Sequence, residues 1–195
     1  IAEDLAAFLG PDAIEFFPSW ETLPFERVSP AVLTMGSRMR TMWRMRQGKN
    51  APSVIVAGTR ALLQKLAPGS TTLEPIHIAV GSTLNIDALC EQLVHCGYRR
   101  ETIVEHRGEF ARRGAIVDIF PSTDDEPIRV DMWGDDVERL THFTVADQRS
   151  TDEITSVEIF PARELLYVDG VQDHARELIA SEPWGREQWE RLSEG

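Results

Sequence analysis

Between Ala115 and Phe143 a nearly unbroken apolar run gives way to strict alternation, and this constrains the fold more tightly than anything else in the chain. Ala115 to Phe120 is apolar at every position but Asp118, the pattern of a strand buried on most of its surface. Ile128 to Trp133 alternates instead, with Ile128, Val130 and Met132 on one face and Arg129, Asp131 and Trp133 on the other. Gly134-Asp135-Asp136 supplies turn residues, and Val137 to Phe143 returns as a third strand. Residues 107–144 therefore predict an antiparallel meander with one dry and one polar face. An indole beside a guanidinium on the polar face is a pairing enriched in interface hot spots, so this face reads as a surface that another protein covers. A competing arrangement has Trp133 capping the edge of its own core and Arg129 pairing with Asp131; alternation alone leaves both open.

Upstream, strand and helix patterns alternate as in an α/β unit. Ile1 to Leu9 has helical spacing with no capping residue ahead of it, which implies that the chain continues upstream. Ile14 to Phe17 and Val54 to Ala57 read as short buried strands. Met35, Met39, Met42 and Trp43 form the apolar stripe of an amphipathic helix between them. Thr59 is expected to cap a helix from Arg60 to Leu66 that Pro68-Gly69 terminates. His77 to Val80 makes a further strand, Gly81-Ser82-Thr83 a joint, and Ile86 to Cys96 a helix. A last helix is expected around Asp173 to Ala180.

With 195 residues and 42% apolar content the chain can bury one sizeable core, with or without a satellite domain. The 32 acidic and 20 basic residues give a net charge of -12, which opposes autonomous binding to a phosphate backbone. No stretch approaches the roughly 20 apolar residues of a membrane span, and no leader pattern opens the chain, so a cytoplasmic protein is expected. There is no GxxxxGK[ST] phosphate loop, no HExxH and no GxSxG, and the only lysines are Lys49 and Lys65. Cys90 and Cys96 lack the CxxC spacing of a zinc site and read as structural thiols. Asp124-Asp125-Glu126 reads as a solvated loop tip rather than a metal site. No catalytic, cofactor or metal residues are expected.

The runs RRGAIVDIFP, PIRVDMWGDDVERLTHF and DQRSTDEITSVEIFPARELL resemble the N-terminal UvrB-homology module of the bacterial transcription-repair coupling factor family (Mfd). FFPSWETLPFERVSP and VIVAGTRALLQKLAP fit the same family in the same order. The alternative is a fragment of a UvrB-type ATP-dependent damage-recognition helicase, which shares several of these elements. That protein carries a long aromatic-rich hairpin where this chain has only Pro18 to Pro30, and a phosphate loop that this chain lacks.

The resemblance implies an α/β fold: a degenerate RecA-like first domain over 1–82, an inserted α+β second domain on an antiparallel sheet over 83–161, and a C-terminal return over 162–195 that packs on the first domain. It implies recruitment of UvrA through Arg113, Arg129 and Trp133, the last where relatives often carry Phe. RNA polymerase, duplex DNA, ATP and Mg are then the business of downstream domains of a longer translocase, and this segment is not itself an enzyme.

Overall fold

The computed structural model describes residues 2–22, 26, 28–66, 72–166, 171–182 and 184–194. They form two compact units, 1–165 and 166–195.

The first unit opens with helix α1 (Ala2–Leu9) and strand β1 (Ile14–Phe17). Helix α2 (Val32–Met45) then crosses to β2 (Val54–Ala57), which pairs parallel to β1 in the register Ile14 to Val54 through Phe17 to Ala57. The methionine stripe holds, with Met35, Met39 and Met42 all buried. The face of β1 that meets α2 is partly polar. Glu15 is buried there and accepts from Arg44 Nη1 at 2.9 Å and Thr41 Oγ1 at 3.2 Å, while the Arg38 guanidinium lies 4.3 Å from the Phe17 ring centre. Neither strand is buried throughout as expected: Phe16 of β1 is 52% exposed, and Val54 to Ala57 is only half-buried, because among the described residues the two strands pair only with each other.

Helix α3 (Thr59–Leu63) starts one residue earlier and ends three residues sooner than the sequence pattern indicates. Gly58, not Thr59, is its N-cap, and Leu62 and Leu63 are exposed, so little packing extends the helix toward Leu66. The expected terminator Pro68-Gly69 lies outside the described residues.

Strand β3 (Ile76–Ala79) pairs antiparallel with β10 (Ser156–Ile159), from Ile76 opposite Ile159 to Ala79 opposite Ser156. Residues 80–155 thus leave and rejoin the fold at adjacent strands. They contain helix α4 (Ile86–His95), N-capped by Asn85 Oδ1 on the amide of Ala88 at 2.9 Å. A six-stranded sheet follows in sequential order: β4 (Arg99–Arg100), β5 (Glu109–Arg113), β6 (Ile116–Ile119), β7 (Ile128–Trp133), β8 (Asp136–Phe143) and β9 (Ser150–Ile154). Only β4 and β5 run parallel; the rest is an antiparallel meander. The expected three strands are its centre. Two turns, Gly114-Ala115 and Gly134-Asp135, join strands whose last paired residues are Arg113 with Ile116 and Trp133 with Asp136. Each has glycine first at φ 64, the residue that two-residue hairpins with a positive first φ demand.

One face of this sheet packs on α4. Leu89, Cys90 and Leu93 meet Phe110, Val117, Ile119, Ile128, Val130 and Leu140 in the main core, which Ile78 and Ile159 extend into the β3–β10 pair. The other face carries a smaller cluster of Val104, Ala111, Phe120 and Phe143, and beyond it polar side chains. Tyr98 ties the meander to the strand that leaves it. Its hydroxyl donates to Phe160 O at 2.7 Å and accepts from the amide of Ser122 at 3.0 Å. Ser122 in turn abuts α2 at Gly36, where any side chain would collide with it. Glu164 locks the same junction: it forms a fully buried two-point pair with Arg38, Nε to Oε2 at 2.7 Å and Nη2 to Oε1 at 3.3 Å, and accepts from Trp20 Nε1 at 2.8 Å. The second unit is a helical hairpin, α5 (Val171–Ser181) against α6 (Arg186–Glu194), with Trp184 and Trp189 stacked edge-on at 5.6 Å.

Candidate protein-docking site

The alternation read from β7 survives in three dimensions: Ile128, Val130 and Met132 are buried, and Arg129, Asp131 and Trp133 lie on the opposite face. Cross-strand register brings further side chains to that face. Ala111, Asp118, Arg129 and Thr141 form one row, and Arg113, Ile116, Asp131 and Arg139 the next. Trp133 closes the patch at the hairpin end, four residues and so about 13 Å along the strand from Arg129.

The row centres on Asp118, whose side chain is 2% exposed. A carboxylate so far from water needs charged partners, and it has two. Arg129 donates Nε to Oδ1 at 2.7 Å and Nη2 to Oδ2 at 3.0 Å, while Arg113 donates Nη2 to Oδ2 at 2.5 Å. Arg129 is further fixed by the carbonyl of Gln148, 3.2 Å from Nη1, and by the Phe143 ring, 4.8 Å beneath its guanidinium. The bonds to Asp118 raise the Arg129 pKa still further, against burial that opposes them. Asp131, the partner in the competing arrangement, pairs with Arg139 at 3.1 Å instead.

The candidate residues differ in what they offer outward. Arg129 is 13% exposed, Arg113 is 51% exposed, and Trp133 is 78% exposed. Trp133 therefore does not complete the core of its own domain. Arg113 and Arg129 share one carboxylate, and Trp133 stands apart from them on the same face. Two residues of this patch carry more than their sequence pattern assigned. Asp118 was legible only as the lone polar position in an apolar strand. Gln148, the one described non-glycine residue at positive φ, 60°, turns its carbonyl to Arg129 while its side chain donates to Val145 O at 2.9 Å and Val104 O at 3.3 Å. Nothing in Asp147-Gln148-Arg149 announces this.

Other candidates resolve as structure. The Asp124-Asp125-Glu126 tip is not wholly solvated: Asp124 is half-buried, and burial pushes its carboxyl above the ordinary range against the pull of Thr123, His142 and Arg40. Asp125 pairs with Arg107 at 2.6 Å. Cys90 is buried and Cys96 half-buried, both as free thiols; burial raises each, that of Cys96 to about 11. Among the described residues no cluster of His, Cys, Asp and Glu suits a metal ion, and no helix is long and apolar enough to cross a membrane.

Residues 76–165 match the family model described as UvrB interaction domain, a span that runs from the first residue of β3 to the end of the first unit. The chain as a whole is homologous to part of transcription-repair-coupling factors. It is 41% identical to that of Mycobacterium bovis over 192 residues, 93% of this chain and 16% of the relative. It is 31% identical to that of Myxococcus xanthus over 182 residues, 90% of this chain and 15% of the relative. With that of Haemophilus influenzae it shares 36% identity over 150 residues, 76% of this chain and 13% of the relative. The chain thus spans between 13% and 16% of the length of these relatives.

Proposed function

We propose that this chain is a recruitment module of transcription-coupled nucleotide excision repair, which docks UvrA on the polar face of the β5–β8 sheet through Arg113, Arg129 and Trp133. The observation that carries this reading is Trp133: a large aromatic left 78% exposed, on the face where two guanidiniums converge, inside the segment matched by the UvrB interaction domain. Exposed Trp and Arg are the side chains that dominate interface energetics. The relatives' name supports the repair context, and the UvrB kinship supports UvrA as the partner.

The N-terminal part over 1–82 is, on this reading, a degenerate RecA-like domain. The parallel β1–α2–β2 unit supports it. The segment 83–161 is the inserted UvrA-binding domain, and the departure and return of 80–155 at adjacent strands β3 and β10 support that insertion. Catalysis, RNA polymerase contact and duplex translocation with ATP and Mg belong to other parts of a longer cytoplasmic protein. A pull-down of the purified chain with UvrA, repeated with Arg129→Ala, tests the reading. Retention by the wild type and loss in the variant are expected; no retention of UvrA by the wild type overturns it.

A further inference from the structure

Resting on that docking reading, we infer that Asp118 is the positioning residue of the site: it holds Arg113 as the guanidinium presented to the partner, and Arg129, itself held by the Gln148 carbonyl, fixes Asp118 from the neighbouring strand. The hydrogen bonds assign these roles. Arg129 spends Nε and Nη2 on Asp118 and Nη1 on Gln148, and is 13% exposed. Its fork is turned inward, so Arg129 serves the docking face by holding Asp118 rather than by meeting the partner itself. Arg113 spends one nitrogen on the same carboxylate and leaves half its side chain toward solvent. An arginine side chain has large rotamer entropy, and fixing it before contact reduces what association must supply. Asp118 does this from a buried strand position that cannot touch the partner. The arrangement also sets the charge: two guanidiniums on one carboxylate leave a single net positive charge, displayed at Arg113, which suits one carboxylate on the opposing surface.

Two measurements test this. In the unmodified protein, side-chain nitrogen NMR should find the Arg113 and Arg129 guanidiniums both restricted, with slowly exchanging protons on Arg129 Nε. A freely rotating Arg113 overturns the inference without any variant. In titrations with UvrA, Asp118→Asn should bind about tenfold or more weakly, the scale of a lost charge-assisted bond. In the Arg113→Ala background it should weaken binding no further, because Asp118 acts through Arg113; an equal, additive loss in both backgrounds overturns the inference. Should Asp118→Asn fail to melt cooperatively, the NMR result decides. Failure of the docking reading looks different: Arg113→Ala and Trp133→Ala would then both bind UvrA as the wild type does.

Discussion

Fully buried ionic side chains are the costliest residues in this chain, and they occur where separate segments meet. Arg38 and Glu164 lie 126 positions apart, both essentially inaccessible, joined at two points. Such a pair adds little stability over an apolar pair of the same volume, but either half alone is a buried uncompensated charge. Glu164→Gln or Arg38→Met is therefore expected to lower unfolding free energy by about 3–5 kcal/mol in urea titrations. The double variant Arg38→Met with Glu164→Leu should recover most of that loss; additive losses would contradict the coupling. The cysteines give a second test at this scale. With Cys96 raised to about 11 by burial, its thiolate is scarce at neutral pH, so thiol reagents should modify it slowly until urea unfolds the protein.

At the scale of elements, α2 and the meander meet at a contact made possible by glycine. Gly36→Ala ought to raise helix propensity, yet its Cβ would strike Ser122, which is held by Phe160 O at 2.9 Å. Overpacking of this kind costs about 1–3 kcal/mol, so the variant should melt at a lower temperature than the wild type despite the better helix former. The legibility of the strands followed their own apolar pattern. Strands β1, β2, β6 and β7 were readable to within a residue because each carries a run or alternation of apolar side chains. Four strands escaped: β4 is two exposed arginines, β5 ends in charges, β9, Ser-Thr-Asp-Glu-Ile, is an almost wholly exposed edge, and β10, Ser-Val-Glu-Ile, is too short for its alternation to stand out. Their pairing comes from neighbours rather than from their own periodicity. The candidate site was legible in the same degree. Arg129 and Trp133 stand out from alternation, and Arg113 from resemblance. Asp118 as hub and Gln148 as brace depend on register and on a single left-handed residue, which only the folded chain displays.

For the whole molecule, acid sensitivity should be set by carboxylates that are better off charged in the fold. Glu109 is one. Burial pushes its pKa up, but the amides of Glu105 and His106 at 3.0 and 2.9 Å and the charges of His106 and Arg99 bring it below the ordinary range. A depressed carboxyl contributes stability that is present above its unfolded pKa and is lost as pH falls through the folded one. Glu109→Gln should accordingly be less stable than wild type near neutrality, and the gap should close below about pH 4.3. A gap that widens on acidification would contradict the sign. The net charge of -12 sets another expectation: the isolated chain should bind plain duplex DNA negligibly at ~150 mM salt, since it lacks the counterion-release drive of a basic surface. Micromolar binding in that buffer would show a basic patch that outweighs the overall charge.

Calorimetric titration of UvrA into this chain and into its Trp133→Ala variant, with thermal melts of both, addresses the docking face most directly. Trp133 is exposed and its truncation forfeits little burial, so the variant should melt within a degree or two of wild type, as for surface changes worth about 0.5 kcal/mol. Its affinity for UvrA should fall by about 2 kcal/mol, roughly thirtyfold, the scale of an interface anchor. Unchanged affinity, or a stability loss of about 3–5 kcal/mol typical of a core tryptophan, would contradict the assignment of this face to a partner.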